Sequence, residues 1–492
     1  MRRKLLPILF VVLGITLFSV FLFRAGELPQ VVASDPAKPM AVATQTLIKP
    51  DFVFGDPLPD APKLAYRGVT TDIIPAGLVY SVGVRTLAMI NPNQIDILKY
   101  STSNTHPLYD RPITVEVWYP AVIPPGVEER VVYSEVLGIS GDPARPNVPF
   151  TFEGRALRDA DPFTTTGAPF PLVIVSHGYP GSRYMMTYLD ENLASKGYVV
   201  VAIDHTDSTF EDVPGFFPGF QSTLLNRPLD QLFVLDQMGQ MNAITTSFLY
   251  GLVDADHTAI VGYSMGGYGA LNSAGAGINI SSPLQSFVPG GYLSLRSEGN
   301  PTYTASLDPR LKAIVAFAPW GQGTLGPFVL QAWTPSALAN IKIPSLFVVG
   351  SQDDVALYNQ GGRGVASIFS NTINSNRYML VYQNALHNVA PNPPPQESWG
   401  KWFDAYARYS EPAWNNARIN NINQHFVTAF LGMVLKGQPY SSYLIMVQNS
   451  NDGVGPTYWK GFIARTALGM EMHRKQSGAL WLPLIFKDWQ LH

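Results

Sequence analysis

The sequence predicts a doubly wound α/β domain built on a mostly parallel sheet. Two observations carry that expectation. Short, nearly unbroken apolar runs recur at Pro171–Ser176, Tyr198–Ile203, Ala259–Val261, Ala313–Ala318, Ser345–Val349 and Tyr378–Tyr382. Strands of this kind, without polar alternation, are buried on both faces. Between several of them lie segments with helical spacing, and strands alternating with helices imply parallel pairing through crossovers.

Taken in order, the chain starts with the basic patch Met1-Arg2-Arg3-Lys4 and an uncharged run, Leu5–Phe23. That run is long enough to cross a bilayer core of roughly 30 Å as a helix. Residues 1–30 are therefore expected to be a retained signal anchor that leaves the folded part outside the cytoplasm, facing the periplasm or cell exterior. The alternative is a signal peptide cleaved after Ala33, giving a secreted protein. Residues 31–62, rich in Pro, Ala and Asp, read as a linker. Residues 63–492 are expected to form one domain.

Within that domain Ile113–Tyr119 alternates as an early strand, and Pro124–Phe170 reads as a Pro/Gly-rich loop region. After Pro171–Ser176 comes His177-Gly178-Tyr179-Pro180-Gly181-Ser182, where Ser182 is placed to cap a helix carrying Met185, Leu189 and Leu193. Pro228 is expected to open the next helix. Ala417–Leu435 presents Ile419, Ile422, Phe426, Phe430 and Met433 on one face, and Gly437 stops it. Two stretches exceed ordinary connections, near 278–310 and 392–414. The second holds Trp399, Trp402, Phe403, Tyr406, Tyr409 and Trp414, either to wall an apolar site or to pack on the sheet.

Composition narrows the partners. A net charge of −3 gives no footing for nucleic acid, and with no cysteine there is neither a disulfide nor a thiolate site. His205, Asp207, Glu211 and Asp212 match no dedicated ligand spacing, so no metal is assigned. Asn449–Gly453 lacks the twelfth-position carboxylate of a calcium loop and reads as a turn. No cofactor is implied, and the oligomeric state is left open.

The chemistry-bearing stretch is Gly262-Tyr263-Ser264-Met265-Gly266. A serine on a sharp strand-to-helix turn needs neighbours without Cβ atoms, and the turn lifts its hydroxyl above the sheet. A hydroxyl is a poor nucleophile at neutral pH, so it needs a histidine base and a carboxylate to orient that base. An elbow serine on such a sheet is followed in sequence by its acid and then its histidine. His387, just after the run Tyr378–Tyr382, is the expected base. Of the acids after Val349, Asp353 fits better and Asp354 remains the alternative. An oxyanion needs two preorganised N–H donors. Met265 follows the nucleophile, and Tyr179 is the second donor because Pro180 has no N–H. Trp320 either offers a flat face to substrate or is core.

These residues resemble the α/β-hydrolase superfamily. Phe170–Gly178, Leu193–Val200, the elbow, Asp308–Ala313 and Tyr458–Phe462 are similar to the bacterial dienelactone hydrolase-like proteins grouped with platelet-activating-factor acetylhydrolases. The resemblance implies an α/β-hydrolase fold and a serine hydrolase acting on small or lipid-like esters. In the acetylhydrolases the acid follows the strand after the elbow, where this chain has Ala318, so their specificity is not carried over. A second resemblance, to cutinase-like polyester hydrolases, rests on Tyr179, Ser264–Gly267 and Pro319-Trp320. It implies a polyester substrate, though the aromatic stretches favour a walled pocket over an open cleft. A lactone substrate and a tethered binding protein without turnover remain the alternatives.

Overall fold

An apolar run without alternation needs cover on both faces, and the tertiary structure supplies it. The computed structural model describes residues 53–67, 80–164, 168–325, 328–401, 406–445 and 459–478. The expected anchor, the first part of the linker (31–52), Trp402, Phe403 and Asn449–Gly453 lie outside the described residues.

Nine strands form the body of the main sheet: β1 (Ser81–Ile95), β2 (Leu108–Val122), β3 (Phe170–Ser176), β4 (Val199–Asp204), β5 (Val253–Tyr263), β6 (Leu311–Phe317), β7 (Ser345–Gly350), β8 (Arg377–Tyr382) and β9 (Met470–Lys475). Their spatial order is β9-β8-β7-β6-β5-β3-β4-β2-β1. From β4 across to β8 every neighbouring pair is parallel. The outer pairs β1–β2, β2–β4 and β8–β9 are antiparallel. Every residue of β3, β7 and β8 is buried. This is the α/β-hydrolase fold. The chain leaves β3 toward β4, then returns past it to β5. The crevice at the carboxyl ends of β3 and β5 is thus the topological switch point, where such sheets bind ligands.

Four helices matter for the site: α1 (Thr187–Ser195), α2 (Phe216–Ala243), α3 (Met265–Ser273) and α4 (Asn416–Lys436). In α4, Ile419, Ile422, Phe426 and Phe430 are buried, and Gly437 ends the helix at φ 62°. Two compact units are distinguished. One comprises residues 53–323 and 331–492 and carries everything below. The other comprises residues 1–52 and 324–330, of which an antiparallel pair, Thr324–Leu325 with Phe328–Val329, is described.

Several expectations need correcting. The last part of the linker belongs to the fold: Val53 and Ala61 are buried, and the Leu58 amide donates to Asn421 Oδ1 of α4 (2.8 Å). Weak periodicity hid a segment whose order comes from contacts with a distant helix. The region 124–170 holds a hairpin, Val131–Leu137 with Val148–Gly154. Ser182 does not cap α1, which begins at Thr187 without a side-chain cap; its hydroxyl serves the preceding turn, accepting from the Tyr184 amide (3.3 Å). Pro228 does not open a helix but lies inside α2. A proline there strands the carbonyl four residues earlier, and the Tyr268 hydroxyl donates to that carbonyl, Leu224 O, at 3.0 Å.

Candidate active site

Close packing, not loop flexibility, shapes the turn after β5. A Cβ on Gly262 would come within 2.2 Å of the Gly266 carbonyl, and one on Gly266 within 1.9 Å of the Ser176 carbonyl of β3. Glycine is the residue that fits at both. Ser264 takes the strained φ 52°, ψ −110°, a cost that the surrounding packing sustains. Its hydroxyl stands at the mouth of the switch-point crevice.

The base and acid expected from sequence meet it there. His387 Nε2 lies 3.0 Å from Ser264 Oγ. Nδ1 faces Asp353, at 3.1 Å from Oδ1 and 3.0 Å from Oδ2. Asp353 is buried and also accepts the amides of Val355 (2.9 Å) and Ala356 (2.7 Å) at Oδ1, which fix its orientation. With Nδ1–H directed at the carboxylate, Nε2 is left to accept the serine proton. Burial pulls the His387 pKa down, but the charge and hydrogen bond of Asp353, helped by Asp354 and Glu411, outweigh it and raise it above the ordinary imidazole value. Asp354 takes no hydrogen bond from the ring and instead lines the cavity.

That cavity measures about 570 Å³. Tyr179, Met185, Tyr263 and Leu386 line it around Ser264 and His387, and residues 406–408 and 410–412 form its far wall. Part of the second long stretch therefore walls the site. Within it Tyr406 lines the cavity, whereas Trp414 packs on Tyr382 with ring centroids 5.1 Å apart. The first stretch, 278–310, contributes no lining residue. It folds into short turns pinned through Arg296, whose Nε donates to Asn272 Oδ1 at 2.9 Å.

The two expected oxyanion donors flank the serine. Met265 is the first residue of α3, where an amide has no partner inside the helix. Tyr179 follows Gly178, at which a Cβ would lie 3.5 Å from Ser264 Cβ. Each of these two amides belongs to a peptide whose carbonyl is held from behind. Ser264 O accepts the amides of Tyr268 (3.0 Å) and Trp320 (3.2 Å). Gly178 O accepts from His177 Nδ1 (2.7 Å) and Arg227 Nη2 (3.2 Å). Trp320 thus reaches the site through its main chain. Its ring is buried against Phe220 (centroids 5.2 Å apart) and Tyr268 (6.4 Å) and does not line the cavity, so of its two readings the structure favours core over a flat substrate face.

Two residues escaped the sequence reading. Glu411 is buried in the far wall and accepts the amides on either side of the base, Leu386 at Oε2 and Asn388 at Oε1, both at 2.6 Å. Burial raises its pKa, and the two amides oppose the shift. A lone acid in an aromatic stretch gives no local signal of this. The second is Arg227, inside α2 just before Pro228, whose side chain reaches the Gly178 carbonyl without any local sequence signal. His205, which sequence left among weak metal candidates, joins a buried network instead: Nε2 meets Ser176 Oγ at 2.8 Å and Nδ1 meets Asp230 at 2.9 Å. Among the described residues no three His, Asp or Glu side chains converge as a metal site.

Comparison with known proteins adds a family match over part of this site. The PETase family model (PET hydrolase-like) matches residues 161–288, which include Tyr179, Ser264 and Met265 but end before Asp353 and His387. Cutinase est1 of Thermobifida alba is 27% identical over 222 residues, 45% of this chain and 54% of that protein. Cutinase est2 of the same organism is 32% identical over 102 residues, 21% of this chain and 29% of that protein. This chain thus spans about half the length of the first cutinase and under a third of the second. A ferulic acid esterase structure from Streptomyces cinnamoneus superposes with a TM-score of 0.45 at 18% identity, covering 75% of this chain and 93% of that one. Of the two resemblances seen in the sequence, the polyester-hydrolase one is met by these matches. The chain has an α/β-hydrolase fold, and the segment matched by the PET hydrolase-like family model holds β3, β5 and the serine turn.

Proposed function

We propose that the protein is a serine hydrolase that cleaves carboxylic esters through an acyl-Ser264 intermediate. The observation that carries this reading is the Ser264–His387–Asp353 line, with 3.0 Å from Oγ to Nε2 and Asp353 on the opposite ring nitrogen. His387 takes the Ser264 proton as Oγ attacks the ester carbonyl. The oxyanion turns to the Tyr179 and Met265 amides. The alcohol departs with the proton from the imidazolium, and a water activated by the same imidazole releases the acid. The test is hydrolysis of p-nitrophenyl acetate and butyrate by the full chain. Ser264→Ala should lose at least ~10⁴-fold in kcat, in line with loss of a triad member. Hydrolysis that survives the substitution would sink the mechanism, and a folded but inactive wild type would favour a binding protein.

A polyester substrate is the second reading. The PET hydrolase-like match over 161–288 supports it, while the wall formed by residues 406–408 and 410–412 favours a single small or lipid-like ester chain. Release of soluble acid from a polyester film, set beside a panel of acyl lengths and lactones, separates the two. For location, the basic start and apolar run Leu5–Phe23 support a membrane tether with the site outside the cytoplasm. The protein should then stay in washed membranes; release of a chain beginning at Ser34 would replace the tether with a cleaved signal.

A further inference from the structure

Buried arginines normally face carboxylates, because an unpaired charge in the interior is costly. Arg111 obeys this rule, with Nε 2.9 Å from Asp230 Oδ1 and Nη2 2.9 Å from Oδ2. Arg227 does not. It is just as buried, yet Nη1 donates to His177 O (2.9 Å), and Nη2 donates to Gly178 O (3.2 Å) and to the Ser208 hydroxyl. Its Nε has no partner. Among the described residues no carboxylate lies within ion-pair distance, and the nearby Asp230 is already committed to Arg111 and His205.

We propose that Arg227 is a positioning residue for the oxyanion: its guanidinium fixes and polarises the Gly178–Tyr179 peptide, so that the Tyr179 amide becomes the stronger of the two donors. The inference rests on the esterase reading above and on Tyr179 as an oxyanion donor. Gly178 O and Tyr179 N–H are the two ends of one peptide unit. A donor on the oxygen draws electron density from the nitrogen and makes its proton a better donor in turn. A full charge at that position does this more strongly than an amide.

The neighbouring groups fit this arrangement. The His205 amide donates to His177 Nε2 (3.3 Å), which leaves the ring proton on Nδ1, directed at the same Gly178 carbonyl. Burial and the adjoining Arg227 charge hold His177 well below the ordinary imidazole value, hence neutral. At Gly181 a Cβ would meet the His177 ring at 2.7 Å, and at Gly269 of α3 one would meet Arg227 Cγ at 2.7 Å. The two glycines leave room for the ring and for the arginine stem. The Met265 peptide, by contrast, is backed at Ser264 O by neutral amides alone. One oxyanion donor therefore has a cation behind it and the other does not.

The test compares Arg227→Met and Arg227→Lys in the full chain. Kinetics on p-nitrophenyl butyrate are read beside the rate and stoichiometry of Ser264 labelling by a fluorophosphonate, whose phosphoryl oxygen enters the same oxyanion position. For Arg227→Met the expected result is a loss of about 10- to 100-fold in kcat, below the cost of deleting an oxyanion donor outright. KM should stay within about threefold, and labelling should slow by the same factor but still reach full stoichiometry. Arg227→Lys, which keeps the charge but not the two-carbonyl fork, should fall between Met and wild type. Wild-type rates in a folded Arg227→Met would overturn the proposal. So would a loss that appears as reduced labelling stoichiometry, since that marks a merely structural role. If the Met variant does not fold, wild-type rates in a folded Lys variant overturn it instead. Wild-type protein that is labelled but turns over no ester would sink the esterase reading, and the labelling rates would still judge Arg227.

Discussion

Ser264 and His387 face each other across 3.0 Å but are held in different ways. The serine turn is fixed by backbone that cannot be elsewhere: Gly262 and Gly266 leave no room for a side chain, and β3, β6 and α3 press on it directly. The histidine loop is confined in this way at one point, where a Cβ on Gly350 of β7 would come within 2.2 Å of the Leu386 carbonyl, but the amides on either side of the ring are held by hydrogen bonds. It is gripped at Leu386 and Asn388 by one carboxylate, Glu411, which lies 25 and 23 residues further along the chain. The Asn388 side chain also donates to the Ser410 carbonyl at 3.0 Å. One half of the site is thus set by sterics within the sheet, the other by hydrogen bonds from the segment that walls the cavity. Damage to the first should show as lost folding. Damage to the second should show as lost rate or an altered pH profile in a protein that still folds.

Asp353→Asn gives the largest effect on the histidine side. The asparagine keeps the shape but places an amide where Nδ1–H needs an acceptor, so kcat should fall by roughly 10⁴ with little change in melting. Asp354→Asn, one residue on, should cost less than about threefold, because its carboxylate takes no bond from the ring and one lost surface charge is worth about 1 kcal/mol or less. Reversed ranking of the two in steady-state kinetics would move the acid assignment.

Tyr268→Phe probes the steric half. It removes the hydroxyl that satisfies Leu224 O beside Pro228, leaving a buried carbonyl without a partner at a cost of about 1–3 kcal/mol. Denaturant titration should register that loss while KM stays unchanged. A variant with full stability but altered KM would break the proposed division between the halves.

These two halves also differ in how far they could be read from the residues alone. Close packing writes itself into local sequence, because a backbone contact of 2 Å admits glycine and nothing else. Strands buried on both faces likewise appear as apolar runs, so the core of the sheet and Ser264 were legible. Asp353 and His387 could be found because each follows a recognisable strand. Glu411 could not, since what defines it is a pair of amides brought to it by the fold. Arg227 was hidden for the same reason, and the adjoining Pro228 read as a helix start because the Tyr268 hydroxyl that lets the helix continue is distant in sequence. Trp320 shows the converse: a proline-tryptophan pair at the right strand end fits a substrate platform or core equally well in sequence, and it is the fold that turns the ring into the core and leaves its amide to serve the elbow.

Glu411→Gln is the sharper probe of the hydrogen-bonded half. Glutamine has one carbonyl oxygen, so it can hold the Leu386 or the Asn388 amide but not both. The loss should be about tenfold in kcat/KM, the cost of one charge-assisted bond of ~1.5 kcal/mol, with cooperative melting retained. Glu411→Ala should lose more than Glu411→Gln. Equal activity in all three proteins would show that the loop is held without the clamp.

The smallest effect concerns pH. In the proposed mechanism His387 must be neutral in the free protein to act as base, so kcat/KM rises with pH through its pKa. Asp353 stabilises the imidazolium, with Asp354 and Glu411 adding to it, and together they overcome burial and raise that pKa. The acid limb should therefore have its midpoint above the ordinary value of about 6.5. Asp354→Asn removes one stabilising charge and should move the limb to lower pH, less than loss of the Asp353 charge would, because Asp354 is solvated and not in contact with the ring. The maximal rate should be almost untouched. Glu411→Gln should move the limb in the same direction while lowering the plateau, because that residue acts both by its charge and by its grip on the loop. A limb that moves upward in either variant would mean that these carboxylates do not face the imidazole as charges. The pH profile thus separates the electrostatic part of the cavity wall from its mechanical part, which a single-pH rate cannot do.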